Sequence, residues 1–192
     1  MRILNDTMAY DAGPSACALG TFDGVHIGHQ ALIRRMVETA REKGLASVVC
    51  CFDRHPLEVL GIAAPPRRLL TPEEQMAKLE ALGVDVVWVQ TFTRDFADVE
   101  PVEYLRSLAD RLQCRCLVAG ENYTFSRRGM GDAALLRRFA AENGLEALIV
   151  PFVREDGEIV SSTRIRRLME TGDEAHARRL LALDDTEGQG VT

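Results

Sequence analysis

Long apolar runs are missing from this 192-residue sequence, since none reaches the roughly 18 residues that a membrane-spanning helix requires. The opening stretch MRILNDTMAYDAG likewise lacks the apolar core of a secretory signal. Internal repeats and low-complexity segments are also absent. With 46% hydrophobic and 27% charged residues, the composition is typical of a globular protein and predicts no association with a membrane.

Cysteine is present, but not in the spacing of a metal or redox motif. No CxxC pair occurs, and the four histidines complete no zinc pattern. The cysteines are odd in number, and each lies in an apolar segment, so we expect buried, reduced thiols and a cytoplasmic protein. The five are Cys17, Cys50, Cys51, Cys114 and Cys116.

An excess of basic residues is missing as well. The chain has 23 basic and 29 acidic residues, a net charge of -6, which argues against a nucleic-acid-binding protein. A local basic pocket for a phosphorylated small molecule is still compatible with this balance. Residues 184–192 contain three acidic residues and no basic one, so we expect an acidic, flexible tail after a single domain over residues 1–183.

Apolar segments of strand length alternate with helical segments along the chain. This alternation predicts βαβ units and a parallel sheet, here of five strands, with helices on both faces. The strands read as continuous apolar runs because both of their faces are covered. The predicted strands are residues 15–20, 46–53, 84–91, 115–119 and 146–152. The predicted helices are residues 28–43, 72–82, 101–112 and 133–142, and two more that begin near 162 and 173.

Ligands of such sheets bind at the carboxyl ends of the strands, and the segment Gly20–His29 (GTFDGVHIGH) directly follows the first predicted strand. Its glycines allow close approach of the backbone, and the helix that it opens offers free N–H groups to a phosphate. His26 and His29 can face the same phosphate and stabilise charge on a leaving pyrophosphate. The segment is neither a Walker A loop nor GxGxxG, and polar surface residues beside a tight turn would explain its spacing too.

A second candidate phosphate site is the segment Ser161–Arg166 (SSTRIR), at the start of a late helix. Helix capping alone accounts for one or two of its hydroxyl groups. Three consecutive hydroxyls followed by Arg164 and Arg166 also suit charge-assisted hydrogen bonds to phosphate. By itself the segment fits either interpretation.

Two further segments follow predicted strands. Phe52–Pro56 (FDRHP) contains a histidine, which in a loop is more often structural than functional. Gly120–Asp132 (GENYTFSRRGMGD) is a polar loop with two aromatic residues that would lie beside the first motif, and it also fits a mobile surface loop.

In combination, these segments resemble the FMN adenylyltransferase module of prokaryotic FAD synthetases, which belongs to the nucleotidyltransferases with an HxGH signature. GTFDGVHIGH resembles the GxFDGxHxGH signature of that family, and VSSTRIR resembles its (I/V)SSTxxR signature. FDRHP and the loop Gly120–Asp132 resemble two further family segments, and the resemblance covers residues 15–183. It implies a Rossmann-like nucleotidyltransferase fold and transfer of AMP from ATP to FMN, which gives FAD and pyrophosphate with Mg²⁺.

The same resemblance implies roles for individual residues. Mg²⁺ would be held by ATP phosphates and water, and no protein side chain is assigned to it. The implied catalytic residues are His26, His29, Ser162, Thr163 and Arg166. The implied ATP-binding residues are Gly20, Thr21, Phe22, Asp23, Gly24, His26, Gly28, His29, Ser161, Ser162, Thr163 and Arg166. The implied FMN-binding residues are Asp23, His55, Pro56, Asn122, Tyr123 and Phe125.

The sequence departs from the family pattern in three ways. Thr21 stands where the family most often has Asn, and Ser126 stands where it usually has Gly. The segment that leads into a riboflavin kinase barrel is missing, so we expect no riboflavin kinase activity and FMN supplied by a separate kinase.

Two other classes of function remain open from the sequence. One is a different HxGH nucleotidyltransferase that acts on pantetheine phosphate, nicotinate mononucleotide or glycerol phosphate. The other is a non-catalytic flavin- or nucleotide-binding protein with the same fold.

Overall fold

The computed structural model describes residues 1–183, and the predicted acidic tail at 184–192 lies outside these described residues. The main strands are β1 (Arg2–Asn5), β2 (Ser15–Leu19), β3 (Ala46–Phe52), β4 (Val86–Gln90), β5 (Cys114–Gly120) and β6 (Glu146–Val150). A small hairpin is formed by β7 (Arg154–Glu155) and β8 (Glu158–Ile159). The helices are α1 (Ile27–Lys43), α2 (Pro56–Leu60), α3 (Pro72–Ala81), α4 (Arg94–Ala97), α5 (Pro101–Arg111), α6 (Ala133–Glu142), α7 (Ser162–Glu170) and α8 (Glu174–Leu181).

The main strands form one parallel sheet in the order β1-β4-β3-β2-β5-β6. The predicted fold class is confirmed, but the sheet has six strands rather than five. The additional strand is β1, which has four residues, pairs with β4 alone, and buries only Leu4. A strand of four residues with a single buried side chain is too short to show a periodic pattern in the sequence.

The chain reverses its direction of winding at β2. From β2 it proceeds through β3 to β4 on one side, and then crosses to β5 and β6 on the other. The carboxyl ends of β2 and β5 therefore border the crevice where ligands of open α/β sheets bind.

Both faces of the sheet are covered, as the continuous apolar runs predict. In β2, Ala16 and Ala18 pack with the α1 residues Ile33 and Met36 on one face. The intervening Cys17 and Leu19 pack on the other face, with core residues of α5 and α6. All five cysteines are buried and unpaired, and burial raises the pKa of Cys51 to about 12.

Local capping explains where the helices begin and end. The predicted capping box is present at α3, where Thr71 Oγ1 accepts from Glu74 N at 3.2 Å and the Glu74 carboxylate accepts from Thr71 N at 2.7 Å. Asp132 Oδ1 caps α6 by accepting from Leu135 N at 2.8 Å. Gly44 ends α1 with a φ of +64°, a conformation that favours glycine.

A third apolar cluster joins α7 and α8 to the rest of the molecule. The cluster contains the fully buried residues Ile165, Ala177 and Leu180. Leu69 from the loop before α3 and Val160 from the segment before α7 pack against them and are almost fully buried. This packing fixes the amino terminus of α7 beside the loop that follows β2. No helix within residues 1–183 is both long and apolar enough to cross a membrane.

Candidate active site at the carboxyl ends of the strands

The loop after β2 is a strained turn built on buried residues. Phe22 is fully buried with a φ of +49°, and its ring lies 3.0 Å from where a Cβ on Gly20 would be. Gly24 has a φ of +81°, and a Cβ there would lie 2.9 Å from side-chain carbons of Leu69 and Leu181. Glycine at position 24 therefore allows the loop to approach the α7–α8 cluster closely.

The two histidines of this loop stack on each other at the start of α1. Their ring centroids are 3.7 Å apart with an interplanar angle of 16°, and Phe22 contacts His29 edge-on at 5.4 Å. His26 caps α1, since its Nδ1 accepts from His29 N at 3.3 Å. A Cβ on Gly28 would lie 3.2 Å from the His26 ring, so the small residue there leaves room for the stack.

Both histidines are held in the neutral form at neutral pH. Burial lowers the pKa of His26 to about 4. Burial and the neighbouring His26 lower the pKa of His29 well below its usual value. Because His26 Nδ1 accepts a hydrogen bond, its proton belongs on Nε2, while His29 Nδ1 is buried without a hydrogen-bond partner. The pair therefore offers N–H dipoles to a ligand rather than full charges.

The histidine cavity lies at the carboxyl ends of β2, β5 and β6 and has a volume of about 210 Å³. It brings the first and second sequence motifs together, because both histidines and the two serines of SSTRIR line it. Its polar lining consists of His26, His29, Asn122, Ser161 and Ser162, with Gly28 and Gly120. Asn122 faces this cavity, although the family resemblance assigns it to the FMN side.

The three hydroxyls of the second motif lie in different surroundings. Ser161 Oγ accepts from Arg164 N at 3.2 Å and so caps α7, and Ser162 Oγ donates to the Asp23 carbonyl at 3.0 Å. Thr163 is exposed and lines a neighbouring cavity with Arg154 and other residues. Ser161 lines both cavities, so the two are adjacent.

Asp23 and Arg166 connect the two motifs directly. Arg166 Nη2 donates to the Asp23 carboxylate, and both side chains are largely shielded from solvent. Leu69 N donates to the same carboxylate at 3.3 Å, and Arg166 Nε donates to the Arg67 carbonyl at 2.8 Å. A phosphate that binds Arg166 must therefore compete with Asp23 for its guanidinium group.

The aromatic cavity, of about 440 Å³, lies beside Thr21, in the same loop that carries the histidines. Tyr123 and Phe125 stack within it at 5.4 Å and 18°. A Cβ on Gly131 would lie 2.5 Å from the Phe125 ring, so glycine there allows the ring to occupy its place. The aromatic lining is Phe52, Phe92, Phe96, Tyr104, Tyr123 and Phe125.

His55 and Pro56 lie at the start of α2, between two cavities. His55 Nδ1 accepts from Leu57 N at 3.2 Å, so this histidine has a capping role. Burial and the nearby positive charge of Arg166 lower its pKa. A smaller cavity of about 150 Å³ is lined by His55, Thr21 and Asp23, and Pro56 and Thr21 also line the aromatic cavity.

Sequence reasoning missed three aromatic residues of this site: Tyr104 on α5, and Phe92 and Phe96. The last two follow β4 and contact Phe52 edge-on at 5.0 and 5.6 Å. Their position directly after a predicted strand, in TFTRDF, was the available signal. The helix α4 that carries Phe96 has only four residues, so no helical periodicity marks it.

An open parallel sheet with a polar cavity at its switch point defines an α/β protein of the class that binds ligands at this edge. The family model described as FAD synthetase matches residues 9–164. The chain therefore belongs to the FAD synthetase family. The matched part includes all four sequence segments except the last two residues of SSTRIR.

Curated relatives agree with this assignment. The chain is 36% identical over 165 residues to the bifunctional riboflavin kinase/FMN adenylyltransferase of Listeria monocytogenes, covering 85% of this chain and 52% of that protein. The corresponding Bacillus subtilis protein is 34% identical over 168 residues, with 87% and 53% covered. The chain thus spans about half the length of these relatives. A putative bifunctional protein of Geobacillus thermodenitrificans is 35% identical over 160 residues, with 83% and 84% covered.

A solved structure has the same fold. A crystal structure described as a macrolide-efflux protein from Streptococcus pneumoniae superimposes with a TM-score of 0.84 at 29% identity. The match covers 95% of this chain and 60% of that one. The fold agreement therefore extends over nearly the whole of this chain.

Proposed function

We propose that this chain transfers AMP from ATP to FMN and releases FAD and pyrophosphate. The observation that carries the proposal is the loop Gly20–His29, which contributes to two different cavities. Its histidines line a polar cavity with Ser161 and Ser162, and Thr21 lines an aromatic cavity. One loop thus borders a site suited to phosphates and a site suited to a flat aromatic ring.

ATP would occupy the histidine cavity as its complex with Mg²⁺. Neutral His26 and His29 would donate hydrogen bonds to the phosphate at which the bond breaks, and the amino terminus of α7 would add its free N–H groups. Ser162 and Thr163 would bind the β- and γ-phosphates, because Ser161 lies where the cavity of the first motif meets that of Thr163. Arg166 lines a separate cavity with Arg67 and Arg68, and it would join them by exchanging Asp23 for a phosphate.

The divalent ion would be held by phosphate oxygens and water. Among residues 1–183, the one group of three side chains with ligand atoms close enough to share a metal is Glu155, Asp156 and His176. None of these three lines the histidine cavity. The Asp23 carboxylate is already engaged by Arg166 and Leu69 N. Metal delivered with ATP fits this distribution of carboxylates.

FMN would occupy the aromatic cavity, with its ring near Tyr123 and Phe125. His55 and Pro56 would contact it from α2, and Asn122 would lie where the flavin phosphate meets ATP, because this residue lines the histidine cavity. Stacked and edge-on aromatic side chains suit a flat conjugated ring.

The reaction requires no general base, because the attacking FMN phosphate is already anionic. One of its oxygens forms a bond to the α-phosphorus of ATP as the bond to the pyrophosphate oxygen breaks. Positioning of the two substrates and electrostatic stabilisation of the leaving group would supply the rate.

The cellular setting proposed for this activity is the cytoplasm, which suits five unpaired thiols. FMN would come from a riboflavin kinase, since relatives of this chain combine that activity with FMN adenylyltransferase.

Incubation of the protein with ATP, Mg²⁺ and FMN tests the proposal, with FAD identified chromatographically and pyrophosphate measured in parallel. Parallel incubations replace FMN with another acceptor: pantetheine phosphate, nicotinate mononucleotide or glycerol phosphate. We expect adenylylation of FMN alone. Pyrophosphate release with another acceptor but not with FMN would contradict the assignment.

A further inference from the structure

Helix α7 carries an arginine in an electrostatically unfavourable place. Arg164 lies in the first turn, where the positive end of the helix dipole disfavours a cation. It is also only 8% exposed, and among residues 1–183 it is the one buried lysine or arginine. A buried charge is stable only when it is paired and hydrogen-bonded, so its partners indicate its role.

Those partners all lie in the β7–β8 hairpin and in α8. Arg164 Nη1 donates to the carbonyls of Glu155 at 3.0 Å and of Glu158 at 3.2 Å. Its Nη2 donates to Glu155 Oε2 at 3.2 Å, and its Nε lies 3.1 Å from Glu158 Oε2. His176 Nε2 completes the cluster at 2.7 Å from Glu155 Oε2. A single guanidinium group therefore contacts both strands of the hairpin.

The hairpin has few backbone bonds of its own, although His176 and Arg167 also contact its carboxylates and Val160 beside it packs in the third apolar cluster. Each of its strands has two residues, and it is separate from the main sheet. Its turn residues Asp156 and Gly157 have φ values of +52° and +78°, as in the type I′ turns of tight hairpins. A two-stranded hairpin of this size is marginal by itself, and Arg164 stabilises it by bonding backbone carbonyls of both strands.

The position of this hairpin matters because the segments at both of its ends line the histidine cavity. Residues 150–153 lead into it and residues 160–162 leave it, and both segments form walls of that cavity. Val160 N donates to the Val153 carbonyl at 3.0 Å where the two segments meet.

We propose that Arg164 is a positioning residue for the nucleotide side of the site and acts through the hairpin to which its guanidinium group is bonded. By holding the hairpin against α7, it keeps the walls at residues 150–153 and the hydroxyls of Ser161 and Ser162 in register with the histidine pair. The inference rests on the proposed function, because it takes the histidine cavity to be the ATP site.

The test compares Arg164→Lys and Arg164→Met with a control of the same charge change, Arg179→Met. Arg179 lies on α8, is exposed and lines none of the cavities described above. The ATP affinity is measured by titration with Mg²⁺ and ATP in the absence of FMN. The KM values for ATP and FMN, kcat and the melting temperature are measured separately.

We expect Arg164→Met to weaken ATP binding by about tenfold or more, because small displacements of positioning groups are costly. Arg164→Lys should give a smaller loss, since lysine keeps the positive charge but cannot span both carbonyls and both carboxylates. The KM for FMN should be unchanged in both variants, and Arg179→Met should behave as wild type. If Arg164→Met does not fold, Arg164→Lys carries the test.

The positioning role is wrong if folded Arg164→Lys binds ATP as wild type does, or if its ATP and FMN affinities fall to the same degree. Failure of the proposed function has a different signature. A wild-type protein that binds ATP but forms no FAD would contradict FMN adenylylation, while the ATP affinities of the variants would still decide the role of Arg164. A wild-type protein that binds no ATP would overturn both.

Discussion

Arg166 in the middle of α7 donates a hydrogen bond to the carboxylate of Asp23, which lies 143 positions earlier in the chain. The pair joins the two motifs that the sequence proposes as phosphate sites. Ser162 Oγ reinforces the connection by donating to the Asp23 carbonyl at 3.0 Å. The loop after β2 and the start of α7 are therefore one structural unit.

We predict measurable energetic coupling between Asp23 and Arg166. In a double-mutant cycle of Asp23→Asn and Arg166→Gln, the coupling free energy should be about 0.5–3 kcal/mol, because residues in direct contact deviate from additivity by this amount. Urea unfolding of the two single variants and the double variant measures it. Additive effects on the free energy of unfolding would show that the pair contributes no coupling.

We predict that His29→Ala slows turnover more than it weakens FMN binding. The loss of one preorganised donor should lower kcat by roughly 10²–10³-fold, since such donors act mainly on the transition state. FMN affinity, followed by flavin fluorescence, should remain near the wild-type value because the side chain lines the histidine cavity. An equal loss of FMN affinity would place His29 on the flavin side instead.

Stability should decrease on mild acidification because of His26. Its pKa is about 4 in the folded protein, so the unfolded chain, with a pKa near 6.5, binds a proton first as the pH falls. The contribution of neutral His26 to the free energy of unfolding is therefore complete above about pH 6.5 and lost towards pH 4. The loss between pH 7 and pH 5 should be about 2 kcal/mol.

The variant His26→Asn provides the check, because asparagine can still cap α1 but does not titrate. Urea unfolding at pH 7 and pH 5 should give a smaller loss of stability for this variant than for wild type. His29 contributes in the same direction, so a residual loss is expected. Identical losses in the two proteins would rule out His26 as a source of the pH dependence.

Gly24→Ala should be more destabilising than Gly44→Ala. Both glycines have a positive φ, of +81° and +64°, so both variants carry the strain of an alanine in that conformation. Only at position 24 would the new Cβ meet neighbouring atoms, and this overpacking should cost about 1–3 kcal/mol more. Thermal unfolding of the two variants makes the comparison. Equal melting temperatures would show that the loop accommodates the added methyl group at position 24 without further loss of stability.

Much of the architecture could be predicted from local sequence signals. The alternation of apolar runs and helical segments predicts five of the six main strands, and Thr71, Asp132 and Gly44 mark helix ends by their own chemistry. Strand β1 could not be found in this way, because a four-residue edge strand with one buried side chain carries almost no periodic signal. The short helix α4 was missed for the same reason.

The candidate site was only partly predictable. Because ligands bind after the strands of a parallel sheet, chain position alone selected the Gly20–His29 loop, FDRHP and the Gly120–Asp132 loop. The sequence could not indicate that Asn122 faces the histidine cavity while Tyr123, the next residue, faces the aromatic one. The placement of these two neighbours in different cavities depends on the backbone conformation of the folded loop.

The sequence by itself determined the fold class, the helix ends and the identity of the motifs, because these depend on residues a few positions apart. The tertiary structure decided which motifs share a cavity, which hydroxyls line it, and that His26 and His29 are neutral. Those properties arise from burial and from contacts between residues such as Asp23 and Arg166, which are distant in the chain. The burial that shifts these pKa values depends on the packing of the whole domain, so a short sequence pattern cannot predict it.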